Sequence, residues 1–422
     1  MRSFLSNKYK QIKGFFDAYF YNAQNKSAQY QLVILDDFFP NPVSSFRFTE
    51  FNHYFREFDK AIVLTTGGAL SIINERKSIG QFIRQYKQNF KKQAVTTFNI
   101  NKKPFAKACY TMFLNNAYSF LPYIDKHKLP FVFCLYPGGG FNLNTPETDK
   151  KLKAVCQSPY FKGVIVTQQV TYDYLLDKKF CTESKIRFIF GGILAVNHYP
   201  IAENRAHYSY SKNTLDVCFM ANKYMLGGVD KGFDVFAGVA KSFVSNPNMR
   251  FHVIGSFSKH DVTDYDAANI QFHGMKLTAE LNPFFESMDI ILSPNRPFIL
   301  SKGAFDGFPT GSCVEASLKG VAMFITDPLS LNTVYEDGVE IEIIEPSVEE
   351  VVSKIQYYVA HPDKLRDLAL TGQTRTRFLF SDDIQLTRRV EFLQEKLSNA
   401  GPLSIKTSER FKTSPTLNAI TL

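Results

Sequence analysis

The stretch Phe305–Gly320, FDGFPTGSCVEASLKG, sets an acid, a Gly-Phe-Pro turn and a second acid ahead of an apolar helical run. The helical pattern over 311–319 begins at Thr310-Gly311-Ser312, which supplies a capping hydroxyl and free backbone N–H groups. Glu315 falls in the first turn and a half, so it reaches the same cleft as those N–H groups. A carboxylate there is suited to gripping two adjacent hydroxyls, as on a ribose. Taken alone, Glu315 reads as an acid that steadies the positive end of a helix. Asp306 precedes the turn Gly307-Phe308-Pro309 and would face the other side of a ligand.

A second segment, ANKYMLGGVDKGFDVF, follows the strand-like LDVCFM (215–220) and carries Lys223 and Lys231 with glycines at 227, 228 and 232. Lys231-Gly232 stands at a helix start, where a lysine is unfavourable unless an anion joins it; a diphosphate is the natural guest. Gly255 and Gly274 come directly after strand-like runs. Glycines so placed allow close approach to the backbone, as by a nucleobase held through main-chain hydrogen bonds. His252 and His273 belong to those runs and read as packed histidines.

In the first half, Ser44 and Ser45 follow QLVILD (31–36) and are placed to cap a helix starting near Arg47. PFVFCL (130–135) is followed by Tyr136, Pro137 and the run Gly138, Gly139 and Gly140, a loop suited to hugging a ligand. It is not a phosphate loop of the G-x-x-x-x-G-K-[ST] kind, and no G-x-G-x-x-G opens a helix. Asp264-Tyr265-Asp266 has acid-x-acid spacing but lies in a polar stretch that reads as a solvated loop. No nucleophile elbow, H-E-x-x-H or Cys/His pairing is present, and no metal site is expected.

These residues need strand ends to carry them. Twelve strand-like runs alternate with helical patterns such as 232–245, 278–287 and 347–359. Many runs are continuously apolar, as in parallel strands covered on both faces. Two sheets of about six are more natural than one of twelve. The polar segment 197–213 separates the two series. The expected class is α/β, with two Rossmann-like domains facing across a cleft: 29–205 first and 206–381 second, then a terminal helix over 382–398 and a loosely ordered tail over 399–422. Ligands in such sheets sit beyond the carboxyl ends of the strands.

Bulk composition narrows the class of protein. Hydrophobic content of 45% and charged content of 21% are those of a soluble globular chain. No apolar run is long enough for a membrane span, and no signal peptide is visible. Six scattered cysteines without a C-x-x-C pair read as reduced thiols in a cytoplasmic protein. The net charge of +9 suits an anionic partner. Part of it lies in residues 1–28, a basic amphipathic helical pattern able to rest on an anionic membrane. Dispersed basic residues and the lack of a stacking module argue against nucleic acid.

The second half resembles the retaining GT-B glycosyltransferases of glycosyltransferase family 4, through DKGFDVFAGVAKSFVSNPNMRFHVIG, NIQFHG and FDGFPTGSCVEASLKGVAMFITD. The first half is similar to members that build bacterial lipopolysaccharide, capsule or other surface glycans, through VILDDFFPNPVSSFRFTEFNHYF, PFVFCLYPGGGF and GVIVTQQVTYDYLL. The resemblance implies a nucleotide-diphospho-sugar donor, a glycan or lipid-linked acceptor, and work in the cytoplasm or at the inner face of the membrane. It implies no cofactor beyond the donor.

The family's paired acids map onto Asp306 and Glu315, the later holding the donor's ribose and the earlier meeting the transferring sugar. Its Lys-Gly pair maps onto Lys231, which would neutralise the diphosphate; Lys223 approximates a second basic residue. Gly307-Phe308-Pro309 would turn backbone toward the sugar, and Gly311-Ser312 would offer N–H groups to the diphosphate. This chain departs from the pattern in two places. Asp306 stands where the family has Glu, with eight intervening residues rather than seven. Tyr136-Pro137-Gly138 replaces a loop that often holds a histidine. In the family's front-face mechanism the leaving diphosphate itself takes the acceptor's proton. Rival readings are a nucleotide-sugar epimerase or phosphorylase of the same fold, or a non-catalytic protein that binds sugar nucleotide.

Overall fold

The structure, a computed structural model, describes residues 30–73, 75–202, 205–276 and 278–397. The helix expected over 1–28 and the tail over 399–422 lie outside the described residues. The first sheet comprises β1 (Tyr30–Asp36), β2 (Ala61–Thr65), β3 (Ala94–Thr97), β4 (Ala106–Met112), β5 (Phe131–Leu135), β6 (Phe161–Val166) and β7 (Ile186–Phe188). The second comprises β8 (Leu215–Met220), β9 (Met249–Ile254), β10 (Ile270–Phe272), β11 (Ile290–Ser293), β12 (Ala322–Thr326) and β13 (Glu342–Ile344).

The orders are β3-β2-β1-β4-β5-β6-β7 and β10-β9-β8-β11-β12-β13, with every pairing between neighbours parallel. Each order reverses once, between β1 and β4 and between β8 and β11. Crevices for ligands open at such reversals, beyond the carboxyl ends of the strands. β2 and β5 are buried at every position, which is why AIVLT and FVFCL carry no polar alternation.

The first sheet has seven strands, not six, because β4 is a central strand that composition hides. Its sequence AKACYTM lacks Val and Ile and reads as a weak strand former. Pairing on both sides with β1 and β5 overrides that weakness, and Cys109, Tyr110 and Met112 are fully buried.

The chain crosses back at its end. Helix Pro362–Leu379 packs on the second domain, a π-helical turn over Asp383–Thr387 follows, and helix Arg388–Leu397 lies against β5 and β6 of the first sheet. Arg389 is wholly buried there, with its Nε 3.8 Å from the equally buried Glu50. Glu50 also accepts hydrogen bonds from Tyr54 (2.8 Å) and Tyr110 (2.5 Å). Burial pushes the Glu50 carboxyl up, and Arg389 and the two tyrosines pull it back. Removing one member of a buried pair leaves an uncompensated charge, a loss of about 3–5 kcal/mol. Arg389→Met should therefore lose about that much stability in chemical denaturation, and Glu50→Gln on the same background should recover a large part of it.

Candidate active site

The site grows from the carboxyl ends of β8, β9 and β11, at the reversal point of the second sheet. A first lobe of about 320 Å³ is bounded by Ala221 and Asn222 after β8, Gly255 after β9, and Ser293 and Asn295 at the end of β11. Lys231, Asp306, Thr310, Gly311 and Ser312 complete its wall. A second lobe of about 330 Å³ faces the first domain and holds Ser45, Tyr136, Gln168, Asp306, Pro309 and Glu315. A third, about 450 Å³, lies between the loop Gly138–Gly140 and the segment 296–307. Asp306 and Gly307 stand where lobes meet: Asp306 borders all three.

The central contact is an ion pair. Lys231 Nζ donates to both oxygens of Asp306, at 2.8 and 2.6 Å, and Asn295 Nδ2 donates to the same carboxylate at 3.2 Å. Lys231 ends a 3-10 turn over Leu226–Lys231, in which Gly227 and Gly228 take positive φ. Asp306 thus receives the lysine although eight residues, not seven, separate it from Glu315.

Glu315 lines the second lobe and Lys231 the first, on either side of the Asp306, Thr310 and Gly311 wall that both lobes share. Burial pushes the Glu315 carboxyl up to about 7. The Tyr199 hydroxyl is the neighbour that offsets this in part, although it makes no hydrogen bond of good geometry.

Several expected contacts fall differently. Thr310 is the N-cap residue of helix Gly311–Leu318, but its hydroxyl bonds to Ser312 Oγ (3.0 Å) and Cys313 Sγ (3.3 Å) and caps no backbone N–H. Lys223 does not line the cleft: Asp261 holds its Nζ at 2.9 and 3.0 Å. Gly232 serves packing, since a Cβ there would sit 2.0 Å from the Pro294 carbonyl oxygen. Gly274 accepts from Gly255 N–H at 3.0 Å behind the wall, while its neighbours Met275 and Lys276 line the lobe. Gly255 does line it, as expected. Its φ of +132 and the Ala221 carbonyl, 2.1 Å from any added Cβ, require glycine.

On the first domain, Ser44 caps no N–H of helix Ser45–Glu57. Its hydroxyl accepts from Arg47 (3.1 Å), which also bonds Asp36 (3.0 Å) and Asp37 (3.1 Å) at the end of β1. Ser45 and the Tyr136 ring line the second lobe, and the Tyr136 hydroxyl accepts from Arg389 at 3.2 Å. Gly138, Gly139 and Gly140 all have positive φ and line the third lobe. His252 and His273 bond to each other at 3.1 Å and lie outside the three lobes.

Sequence reading missed the bridge between domains. Gln168, after β6, accepts from Phe308 N–H (3.2 Å) and donates to the Phe308 carbonyl (3.3 Å). Leu143 N–H donates to Gly303 at 2.8 Å. It also missed Asn295 and Asp230. Position directly after β11 was the available signal for Asn295; adjacency to Lys231 was the signal for Asp230. Among the described residues, no group of three or more His, Cys, Asp and Glu is arranged to hold a metal, and no helix is long and apolar enough to cross a membrane.

Comparison with known proteins adds three likenesses of fold. Anabaena HepE, solved with UDP, aligns over 86% of this chain and 100% of its own with a TM-score of 0.64 at 14% identity. HepE is also solved with UDP-glucose. Sucrose-phosphate synthase from Thermosynechococcus elongatus aligns over 87% and 100% with a TM-score of 0.61 at 12% identity. A glycosyltransferase from Rickettsia africae aligns over 88% and 100% with a TM-score of 0.59 at 14% identity. No curated protein matches the sequence. Residues 239–393 match the family model described as Glycosyl transferase-like. The chain thus has the GT-B fold, with a glycosyl transferase-like segment that runs from the helix before β9 into the last helix.

Proposed function

We propose that this chain is a glycosyltransferase that moves a sugar from a nucleotide-diphospho-sugar to a glycan or lipid-linked acceptor, with retention of configuration. The Lys231–Asp306 pair at the reversal point of the second sheet carries this reading. A diphosphate in the first lobe would meet the Lys231 ammonium and the N-terminus of helix Gly311–Leu318. The nucleobase would pack beside Gly255 and Met275. The UDP and UDP-glucose complexes of HepE support a donor of this kind.

The same pair would hand its lysine to the donor. Lys231 is held by Asp306, whose side chain is 39% exposed. Asp306 is the exposed half of the pair and Lys231 the buried half, so a diphosphate entering the first lobe, which carries more charge than one carboxylate, can take over the ammonium. Asp306 is then released to accept a hydrogen bond from a hydroxyl of the transferring sugar, and ionised Glu315, in the second lobe across the Thr310–Gly311 ridge, would accept from a ribose hydroxyl that reaches over that ridge. As the sugar–phosphate bond breaks, Lys231 and the helix N–H groups stabilise the departing charge. The leaving diphosphate takes the acceptor's proton. No metal or further cofactor enters this scheme. The surface-glycan acceptor and a place at the inner face of the cell membrane belong to the same proposal, supported by the first-half resemblance and the basic residues of 1–28.

A thermal-shift screen of UDP, GDP, ADP and their sugar conjugates tests the reading. The matching nucleotide at a hundred times its Kd should stabilise the fold by about 2.7 kcal/mol. No shift with any of them at millimolar concentration would sink it. Lys231→Ala should keep the fold and lower kcat/KM about 100- to 1000-fold.

Glu315 gives a pH test. Its pKa is raised by folding, so its contribution to stability is full below the ordinary carboxylate range and lost as pH rises through about 7. Glu315→Gln keeps that side chain neutral. It should raise the melting temperature of the unliganded protein at about pH 8 and leave it unchanged near pH 4. Wild-type nucleotide affinity should climb more steeply with pH below 7, by up to about tenfold per unit, than that of the variant. Parallel pH profiles would remove Glu315 from the donor site.

A further inference from the structure

We infer that Gln168 is a positioning residue for the reaction: from the first domain, its amide fixes the Phe308 peptide of the second and, through it, the place of Asp306. This rests on the glycosyltransferase reading above and adds a residue that reading does not use. Gln168 stands two residues after β6, at the N-cap of helix Gln169–Asp177, and is 2% exposed. Phe308 lies two residues after Asp306 and three before Gly311, which opens the helix proposed to meet the diphosphate.

The segment Phe305–Pro309 borrows its main-chain partners from the other domain. Among the described residues, its backbone makes no hydrogen bond to any other backbone group. The hydrogen bonds it does make both go to Gln168: Phe308 N–H donates to Oε1 at 3.2 Å, and Nε2 donates to the Phe308 carbonyl at 3.3 Å. A side-chain amide suits this task, because it carries an acceptor and a donor side by side. Gly307 lets the two chains close up, since a Cβ there would crowd Gln168 Nε2 at 3.3 Å. The Phe305 and Phe308 rings are buried, which holds the side chains but does not by itself orient the Phe308 peptide.

The need for such a hold arises when the donor arrives. Until then the Asp306 carboxylate is fixed by Lys231 and Asn295, both in the second domain. In the scheme above the diphosphate takes Lys231 away, and Asp306 must meet a sugar hydroxyl without its strongest partner. The backbone on which it stands is then held by Gln168. A misplacement of about 1 Å in a group of this kind costs on the order of 100-fold in rate. The diphosphate depends on Lys231, which hangs from its own turn after β8, so its affinity does not pass through Gln168.

Two variants test this. Gln168→Met keeps the bulk of the side chain and removes both hydrogen bonds. Gln168→Glu always keeps the acceptor, but has the donor only while its carboxyl is protonated. Calorimetry gives the Kd of UDP, GDP or ADP, whichever binds the wild type, and cleavage of UDP-glucose, UDP-N-acetylglucosamine, GDP-mannose or ADP-glucose, with water as acceptor, gives the rate. In Gln168→Met the diphosphate Kd should hold while the cleavage rate falls about 100-fold. Burial raises the pKa of the introduced carboxyl, so the rate of Gln168→Glu relative to wild type should rise about tenfold or more from about pH 9 to about pH 5. Taking the ratio at each pH removes the titration of Glu315, which both proteins share. If the wild type binds a donor without cleaving it, the donor Kd is read in place of the rate, with the same factor and the same pH trend expected. A wild-type rate in Gln168→Met overturns the inference. So does a diphosphate Kd that weakens in step with the rate, or a Gln168→Glu ratio that does not rise as pH falls. If Gln168→Met does not fold, the pH trend of Gln168→Glu decides alone. If no nucleoside diphosphate binds the wild type, the parent reading fails and takes this one with it.

Discussion

The contact between Lys231 and Asp306 joins two segments that each hang from a different strand. Lys231 comes from the turn after β8, and Asp306 from the loop after β11. These strands are neighbours at the reversal point of the second sheet, so their exits diverge and leave a crevice that only side chains can span. The glycine-rich turn makes the crossing feasible. Positive φ at Gly227 and Gly228 winds the chain tightly, and Gly232 lets it press on the Pro294 carbonyl. Substituting a bulkier residue at Gly232 would move the lysine, because the obstacle is backbone.

The two domains meet over the same place. Gln168 clasps Phe308 through both its amide atoms, and the Phe141 and Phe305 rings stand 5.9 Å apart edge to face. The segment carrying Asp306 is therefore held from the first domain as well as from its own. Whatever changes the cleft width also shifts this loop, which couples domain separation to the position of the acid.

The doubly wound architecture was legible because strands covered on both faces are apolar throughout, as in β2, β5 and β12. β4 was not, because its strand character comes from its neighbours rather than from β-branched residues. Within the site, Gly255 and Gly311 were legible because one directly follows a strand and the other opens a helix, and Lys231 because it ends the turn that leads from β8 into the next helix. The failures share one cause, a competing hydrogen bond. Asp261 draws off Lys223 from far along the chain, whereas Arg47 takes the Ser44 hydroxyl and Thr310 turns to Ser312 and Cys313 within three residues. Local spacing names what a side chain can reach and does not rank the partners within that reach. Asp230 was hidden because its burial beside Lys231 is set by the fold of the turn.

The returning helix has a meaning for biosynthesis. Glu50, Tyr54 and Tyr110 are translated well before their buried partner Arg389. At about 5–20 residues per second, the ribosome has released the whole first sheet well before its buried cation exists. Until then Glu50 can stay neutral or stay wet, and either state leaves the back of that sheet unfinished. The first sheet is thus made before it can close, and a nascent chain stalled before Arg389 would leave Glu50 and its two tyrosines without their cation.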